Sequence, residues 1–176
     1  MKKRQEISSD KKKSVSLNLE CWIWELVEEL ETNRSKFFRD LLLEKIKTEL
    51  INEKLMTETD TVSELLGEVY LNIIQYKRKL MTATTDRKPI RRLGMKNVSE
   101  DLRKKAISIH MENWLWDIAA KIAPNRSVLF KDLLLQKMKK DLLIAGMVKE
   151  NVIMGQEHAE HFVKLTAARK INKKVS

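Results

Sequence analysis

Two short rows of small or hydrogen-bonding side chains occupy every second position in two separate parts of the chain. Amide and hydroxyl groups arranged in this way can hydrogen-bond to the edges of DNA bases, and an alanine methyl can contact the methyl group of thymine. This chemistry breaks no covalent bond, so the rows indicate recognition rather than catalysis. The rows consist of Ser14, Ser16 and Asn18 and of Ala106, Ser108 and His110.

Motifs for catalysis or cofactor binding are missing from the sequence. It contains no glycine-rich phosphate loop, no metalloprotease helix and no nucleophile motif, so we expect no enzyme and no cofactor. His158 and His161 have the spacing of two metal ligands on a helix, but no third ligand is evident. We therefore expect a solvated helix face there and no metal. Cys21 is the single cysteine, which excludes a disulfide within the chain.

Both rows belong to an internal repeat with an offset of 92 residues. Residues 12–47 recur without a gap as residues 104–139, and 16 of the 36 positions are identical. A weaker match continues as far as Arg169 and Lys170, which align with Lys77 and Arg78. A repeat of this kind indicates two copies of one structural unit. We expect the units at residues 1–81 and 99–176, joined by a basic linker at 82–98 that serves as a tether or contacts DNA.

Each unit is expected to begin with a strand. Apolar residues at Val15, Leu17 and Leu19 alternate with the first polar row, which predicts a strand over 14–19 with one buried face. The same alternation predicts a strand over 106–111. A strand of this length needs a partner, and each unit offers only one. We therefore expect the two strands to pair into one ribbon.

Three helices are expected after each strand. In the first unit they cover about 20–31, a longer segment after Ser35, and 62–80; the last helix of the second unit covers 152–168. Asn33 or Ser35 would cap the second helix, whose N-terminal amides form an anion site. Together with lysines that flank the strands, these turns supply the residues expected to bind phosphate. They are Lys12, Lys13, Asn33, Arg34, Ser35, Lys104, Lys105, Asn125, Arg126 and Ser127.

The four tryptophans predict how the first helix of each unit is buried. Trp22 and Trp114 lie on the apolar stripe of that helix, so we expect them in the core. Trp24 and Trp116 fall on nearly the opposite side. We expect either the third helices or another protomer to cover them.

Composition and charge restrict the fold class and the partners. Hydrophobic residues make up 43% of the 176 residues, and only four Gly and two Pro occur, which predicts a mainly α protein with a packed core. The net charge of +10 favours a polyanionic partner, nucleic acid first and an anionic membrane second. No apolar run approaches the ~20 residues of a membrane span, and the N-terminus lacks the apolar core of a signal peptide. These features predict a soluble intracellular protein.

The order of strand, helix, Asn-Arg-Ser turn and longer helix resembles the ribbon-helix-helix family of the MetJ/Arc type. The resemblance is carried by SVSLNLE and NRSKFFRDLLL in the first unit and by AISIHME and NRSVLFKDLLL in the second. It covers somewhat under half of the chain. The tandem arrangement is similar to single-chain regulators of viruses of hyperthermophilic archaea. The third helices and the linker depart from the minimal family pattern.

The resemblance implies a fold and a function. The fold is a tandem ribbon-helix-helix repeat, mainly α with a short two-stranded antiparallel ribbon, in which each unit has an additional C-terminal helix. The function is transcriptional regulation by repression or activation, with the ribbon in the major groove of double-stranded DNA and the second helices on phosphates. We expect Asn18 to face His110 and Ser14 to face Ala106, so that a pseudo-palindromic operator is read unequally on its two halves.

Two other functions fit the same sequence. An antitoxin-like protein would bind DNA with its strands and a protein partner with its third helices. An architectural protein would coat DNA with little sequence preference. The chain could also form a homo-oligomer on DNA. We expect the apolar faces to pack in a core and not on a membrane surface.

Overall fold

The computed structural model describes residues 12–82 and 103–175. The order of one strand followed by three helices occurs twice in these ranges. The expected mainly helical fold with a two-stranded antiparallel sheet is confirmed. Except for Thr82, the basic linker lies outside the described residues, as do residues 1–11 and 99–102. The elements are β1 (Lys12–Glu20), α1 (Cys21–Leu30), α2 (Arg34–Asn52), α3 (Glu64–Thr82), β2 (Lys104–Glu112), α4 (Asn113–Ile122), α5 (Arg126–Ile144) and α6 (Ala159–Val175).

Strands β1 and β2 form an antiparallel ribbon centred on Ser16, which lies opposite Ser108. The register places Ser14 opposite His110 and Asn18 opposite Ala106. The expectation that Asn18 faces His110 and Ser14 faces Ala106 is therefore wrong. Residues that are equivalent in the repeat are related by a two-fold axis through the ribbon centre, so they lie at opposite ends of an antiparallel pair.

The third helix of the second unit begins later than its apolar pattern predicted. Val152 belongs to a non-helical segment that is packed against the core, and a short 3-10 turn over Gln156–His158 precedes α6. The predicted helix start at Val152 is wrong, because apolar residues in a loop that covers the core mimic the first turn of a helix. In the described ranges, none of the helices has the length and apolar character that crossing a membrane requires.

Four aromatic rings form the centre of the core. Trp24 and Phe38 meet edge to face with ring centroids 5.6 Å apart, as do Phe38 and Phe130 at 5.5 Å and Phe130 and Trp116 at 5.8 Å. The row thus runs from one unit to the other. The expectation that the third helices or another protomer cover Trp24 and Trp116 is wrong. Each indole is 2% exposed and lies in the core that both units share.

The same two indoles tie the units to each other through the ribbon. Nε1 of Trp24 donates a 2.9 Å hydrogen bond to the carbonyl of Lys105 in β2. Nε1 of Trp116 donates an equivalent 2.9 Å bond to the carbonyl of Lys13 in β1. A buried indole N–H needs such an acceptor. Each tryptophan therefore holds the strand of the other unit against the helix to which the tryptophan belongs.

The third helices cross between the units. Helix α3 packs on α4 as well as on α2, and α6 packs on α1 as well as on α5. Gly67 permits the close approach of α3, because a Cβ at this position would lie 2.6 Å from Cδ1 of Ile118 and 2.9 Å from the Trp114 ring. Trp22 is buried as expected, whereas Trp114 is half-buried under α3.

A basic side chain of each third helix binds the C-terminus of the first helix of the other unit. Arg78 donates to the carbonyls of Lys121, at 2.8 Å, and Ile122 at the C-terminus of α4. Its equivalent Lys170 donates to the carbonyl of Leu30 at the C-terminus of α1, at 2.6 Å. Cations are favourable at a helix C-terminus, where carbonyl groups lack partners within the helix. The two units are thus interlocked at both ends.

Candidate nucleic-acid interface

The outer face of the ribbon presents the six residues of the two polar rows side by side. All six are exposed, while the alternating apolar residues cover the core on the opposite face. The alternation follows from the period of a strand, in which successive side chains point to opposite faces. Lys12 and Lys104 share the outer face at two diagonal corners of the ribbon. The structure therefore brings the predicted base-reading residues together on one accessible surface.

The N-termini of α2 and α5 lie beside this surface. The side chain of Asn33 accepts a 3.0 Å hydrogen bond from the amide of Lys36, and that of Asn125 accepts a 3.2 Å bond from the amide of Val128. The N-cap of α2 is thus Asn33 and not Ser35. Each cap uses the third amide of its helix. The first two amides have no partner within a helix, and they carry the positive end of its dipole toward the ribbon edge.

Ser35 and Ser127 connect these helix ends to the ribbon. The hydroxyl of Ser35 accepts a 3.0 Å hydrogen bond from the amide of His110, and that of Ser127 accepts a 2.9 Å bond from the amide of Asn18. A two-stranded ribbon has outward N–H groups on both edges, and these serines satisfy one on each side. Each hydroxyl retains a proton that it can donate. A cleft lined by 32–35 and Ser108 runs from the helix end to the ribbon centre.

Sequence reasoning assigned the two serines to phosphate binding and missed their link to the strands. The repeat contained a signal, since Ser35 and Ser127 recur at the same offset as the strand residues that they contact. Nothing in one unit alone could identify the contact, because each serine bonds to the strand of the other unit.

The two helix ends differ in the surroundings of their arginines. Arg34 forms an ion pair and hydrogen bond with Glu28. The position equivalent to Glu28 in the second unit is Ala120, so Arg126 has no such carboxylate on α4. A guanidinium that is already paired with a carboxylate must exchange that partner before it can bind a phosphate. The arrangement therefore favours stronger anion binding at the N-terminus of α5.

Two glutamates at the ends of the ribbon are neutralised by the second helices. Lys131 donates a 2.6 Å hydrogen bond to Glu20, and Nε of Arg39 lies 2.9 and 3.1 Å from the two carboxylate oxygens of Glu112. Burial by itself raises the pKa of Glu20, but the hydrogen bond from Lys131 and the charges of Lys131 and Lys104 outweigh it and lower that pKa. The carboxylate of Glu20 thus remains ionised, and both glutamates are paired with a cation of the other unit. Sequence reasoning missed these pairs, which also join one unit to the other.

The histidines with metal-ligand spacing lie away from the ribbon. His158 is half-buried, and its Nδ1 accepts a 3.3 Å hydrogen bond from the amide of Gly155 ahead of α6. His161 is exposed on α6. Within 12–82 and 103–175, no cluster of three or more His, Cys, Asp or Glu side chains is arranged to hold a metal ion. The expected solvated face therefore applies to His161, whereas His158 stabilises the turn.

Comparison with protein-family models, curated proteins and solved structures finds no match for this chain. The candidate interface is therefore described from the positions of its own residues. One exposed polar face lies between two helix N-termini that point their amides toward its edges. A surface of this shape and charge can bind a polyanion along its rim and read chemical groups at its centre.

Proposed function

We propose that the chain is a sequence-specific transcriptional regulator of the ribbon-helix-helix type that binds double-stranded DNA. The observation that carries the proposal is the antiparallel ribbon, which has one face buried and the other lined by six exposed small or polar side chains. The major groove is about 12 Å wide and admits a two-stranded ribbon. The exposed face therefore has the shape and the functional groups that direct readout of base edges requires.

The strand register distributes the proposed base-contacting residues between the two half-sites of an operator. One half of the ribbon presents Asn18 beside Ala106, and the other half presents His110 beside Ser14. Asparagine can bond adenine bidentately, serine can bond several bases, and an alanine methyl can contact thymine. Because the two halves carry different side chains on a symmetric backbone, the natural operator is expected to be a pseudo-palindrome with unequal half-sites.

Phosphate contacts would position the ribbon in the groove. The amides at the start of α2 and α5 lie beside the ribbon edges, where the backbones that border the groove would pass. Arg34 and Arg126 are the first residues of these helices and add positive charge there. Pairing of Glu20 with Lys131 removes a negative charge that would oppose those phosphates. This division of labour, with phosphates fixing orientation and base edges providing specificity, is general for DNA-binding proteins.

A single chain supplies both strands of the proposed DNA-binding ribbon. The pairing of β1 with β2, together with the crossing of α3 and α6, joins the two units without a second copy. Because the two units are fused, each half can carry different base-contacting side chains. Two identical subunits could not differ in this way. The chain is thus proposed to act as a pseudo-dimer with two different reading surfaces.

Selection from a random pool of duplexes, followed by binding measurements at several salt concentrations, tests the proposal. The selected duplex should bind about 10³-fold or more tightly than random DNA. Asn18→Ala and His110→Ala should each cost about 1–3 kcal/mol on that duplex and little on random DNA. Equal affinity for selected and random duplexes would indicate an architectural protein instead. If both variants bound the selected duplex as tightly as the wild type, the ribbon would be excluded as the base-contacting surface.

A further inference from the structure

Helix α3 carries an apolar stripe that the fold does not use. The side chains of Leu65, Val69, Tyr76 and Leu80 are 74%, 38%, 65% and 55% exposed. At about 100° of rotation per residue, the four lie within roughly 60° of arc on one side of the helix. The opposite side, which includes Gly67, is buried against α2 and α4. The stripe is therefore directed away from the core.

The repeat shows that the fold does not need apolar residues at these positions. The residues equivalent to Leu65, Val69 and Tyr76 are Glu157, His161 and Ala168, which are also exposed. Nevertheless, α6 packs on the other unit as α3 does. Exposed apolar residues grouped on one face of a helix favour an interaction site.

The stripe is complementary to itself. Its four residues are spaced symmetrically about the midpoint between residues 72 and 73. If two copies of α3 pack antiparallel about that point, Leu65 meets Leu80 of the second copy and Val69 meets Tyr76 of the second copy. Tyr76 can keep its hydroxyl in water at the rim while its ring is buried, as tyrosines at interfaces do.

Charges on α3 favour the same arrangement. Glu68 and Lys79 are exposed and lie on the same flank of the stripe. In an antiparallel pair of helices, like flanks face each other, so Glu68 of each copy meets Lys79 of the other. In a parallel pair, unlike flanks face each other at the same axial level, so Glu68 would not meet Lys79. Glu64 in the first turn and Lys79 in the last turn place opposite charges at the two ends of the helix, so antiparallel packing brings unlike charges together.

We propose that a second copy of this chain docks on the α3 stripe through antiparallel α3–α3 packing about a two-fold axis. Such an interface is isologous, so association stops at two chains. A single helix pair buries less than the ~1,600 Å² of a standard interface, so the dimer should be weak and depend on concentration. It goes beyond the proposed DNA binding and does not require it. Its consequence on DNA would be two DNA-binding ribbons in one assembly, with higher avidity for paired sites.

Sedimentation velocity of the full chain without DNA, over a range of concentrations, tests the proposal. The wild-type chain should form a dimer reversibly. The triple variant Leu65→Glu, Val69→His, Tyr76→Ala gives α3 the side chains that the second unit carries, and it should dissociate at least about tenfold more readily. Circular dichroism and the melting temperature verify that it folds. Ile153→Glu, at an apolar position that is 87% exposed outside the stripe, should leave the dimer unchanged.

A charge exchange tests the antiparallel orientation. Glu68→Lys and Lys79→Glu should each weaken the homodimer, whereas an equimolar mixture of the two variants should restore dimers. A wild-type chain that remains monomeric at every concentration overturns the proposal, whether or not another protein binds the stripe. Undiminished dimerisation of the triple variant, or a mixture that does not restore dimers, also overturns it. Because no DNA is present, these outcomes are independent of those that test the regulator.

Discussion

The hydroxyl of Ser127 accepts a 2.9 Å hydrogen bond from the backbone amide of Asn18, which lies 109 residues away in the chain. The hydroxyl of Ser35 makes the equivalent 3.0 Å contact with the amide of His110. Each bond joins the end of a second helix to a strand position whose side chain is exposed on the outer face. The proposed phosphate-binding and base-reading groups are therefore held at a fixed separation, which a site that must match the groove requires.

Removal of these bonds should lower the stability of the fold and leave the two strand amides open to exchange with solvent. We expect Ser35→Ala and Ser127→Ala each to lower the free energy of unfolding by about 1 kcal/mol, because an edge amide loses its acceptor. Hydrogen exchange of the Asn18 and His110 amides should accelerate in the variant that lacks the respective serine. Urea denaturation and exchange followed by NMR measure the two effects.

Ser108→Ala provides the matched control for both serine variants. Ser108 is exposed at the ribbon centre and should affect DNA affinity without changing stability. If Ser127→Ala left the exchange rate of the Asn18 amide unchanged, the bond would not contribute to holding the strand edge.

Equalising the two halves of the ribbon should change the preferred operator. The double variant Ser14→Ala, His110→Asn gives both halves the pair that Asn18 and Ala106 form in one half. We expect it to prefer a perfect palindrome built from the half-site that this pair reads. The preference over the natural site should be about 1–3 kcal/mol for each base pair that distinguishes them. Competition binding between the two duplexes measures it.

The reciprocal double variant, Asn18→His with Ala106→Ser, should prefer the opposite palindrome. Both variants leave the buried face of the ribbon untouched, so their melting temperatures should match that of the wild type. Identical operator preferences in all three proteins would show that the strand residues do not set specificity.

The ribbon could be predicted because its physics is local. Period-2 alternation at Val15, Leu17 and Leu19 identifies a strand with one buried face, and the lack of another strand in the unit requires a partner from the other copy. The cap at Asn33 is local for the same reason, since its side chain bonds to an amide three residues further on. The exposed polar row follows from the alternation without any further assumption.

The positions of Trp24 and of the third helices could not be predicted in the same way. Helical periodicity assumes one buried side, but α1 lies between the ribbon and α6, so Trp22 and Trp24 are both buried. An apolar stripe shows that a helix packs on something, yet it does not identify the neighbour. The link between Arg78 and the carbonyl of Lys121 is therefore visible only in three dimensions.

Removing or adding a carboxylate beside the first arginine of α2 or α5 should change the affinity for DNA. We expect Glu28→Ala to strengthen DNA binding and to increase the salt dependence by about one ion, because Arg34 then becomes available for a phosphate. Ala120→Glu should do the opposite by pairing Arg126. Binding isotherms at several salt concentrations provide both slopes. If the two substitutions shifted affinity in the same direction, pairing of the arginines would not be the cause.

Removal of Lys131 should produce a loss of stability that disappears in acid. Lys131→Met leaves the nearly buried carboxylate of Glu20 without its partner, at a cost of about 2 kcal/mol near neutral pH, less than for a fully buried pair because Lys131 is 33% exposed. The pairing lowers the pKa of Glu20, so its contribution is present above the ordinary pKa range of a glutamate. It is lost as the pH falls through the lowered pKa.

The stability difference between the wild type and Lys131→Met should therefore shrink as the solution is acidified below pH ~4. Adding Glu20→Gln to Lys131→Met should recover part of the stability at neutral pH, since no charge is then buried. Denaturant titrations across the acidic range test both statements. A difference that stays constant with pH would mean that packing of the lysine side chain, rather than its charge, is responsible.

Replacing Tyr70 by phenylalanine should leave the fold intact or stabilise it. Tyr70 is fully buried, and its hydroxyl has no hydrogen-bond partner among the described residues. Burial and the nearby carboxylate of Glu49 raise the pKa of the phenol, so it stays neutral and remains a polar group that has lost its water. The equivalent residue in α6, Phe162, is also buried and has no hydroxyl. Tyr70→Phe should therefore raise the free energy of unfolding by about 1 kcal/mol, and Phe162→Tyr should lower it, as measured by urea denaturation. A clear loss of stability in Tyr70→Phe would show that the hydroxyl has a partner in solution, most simply Glu49.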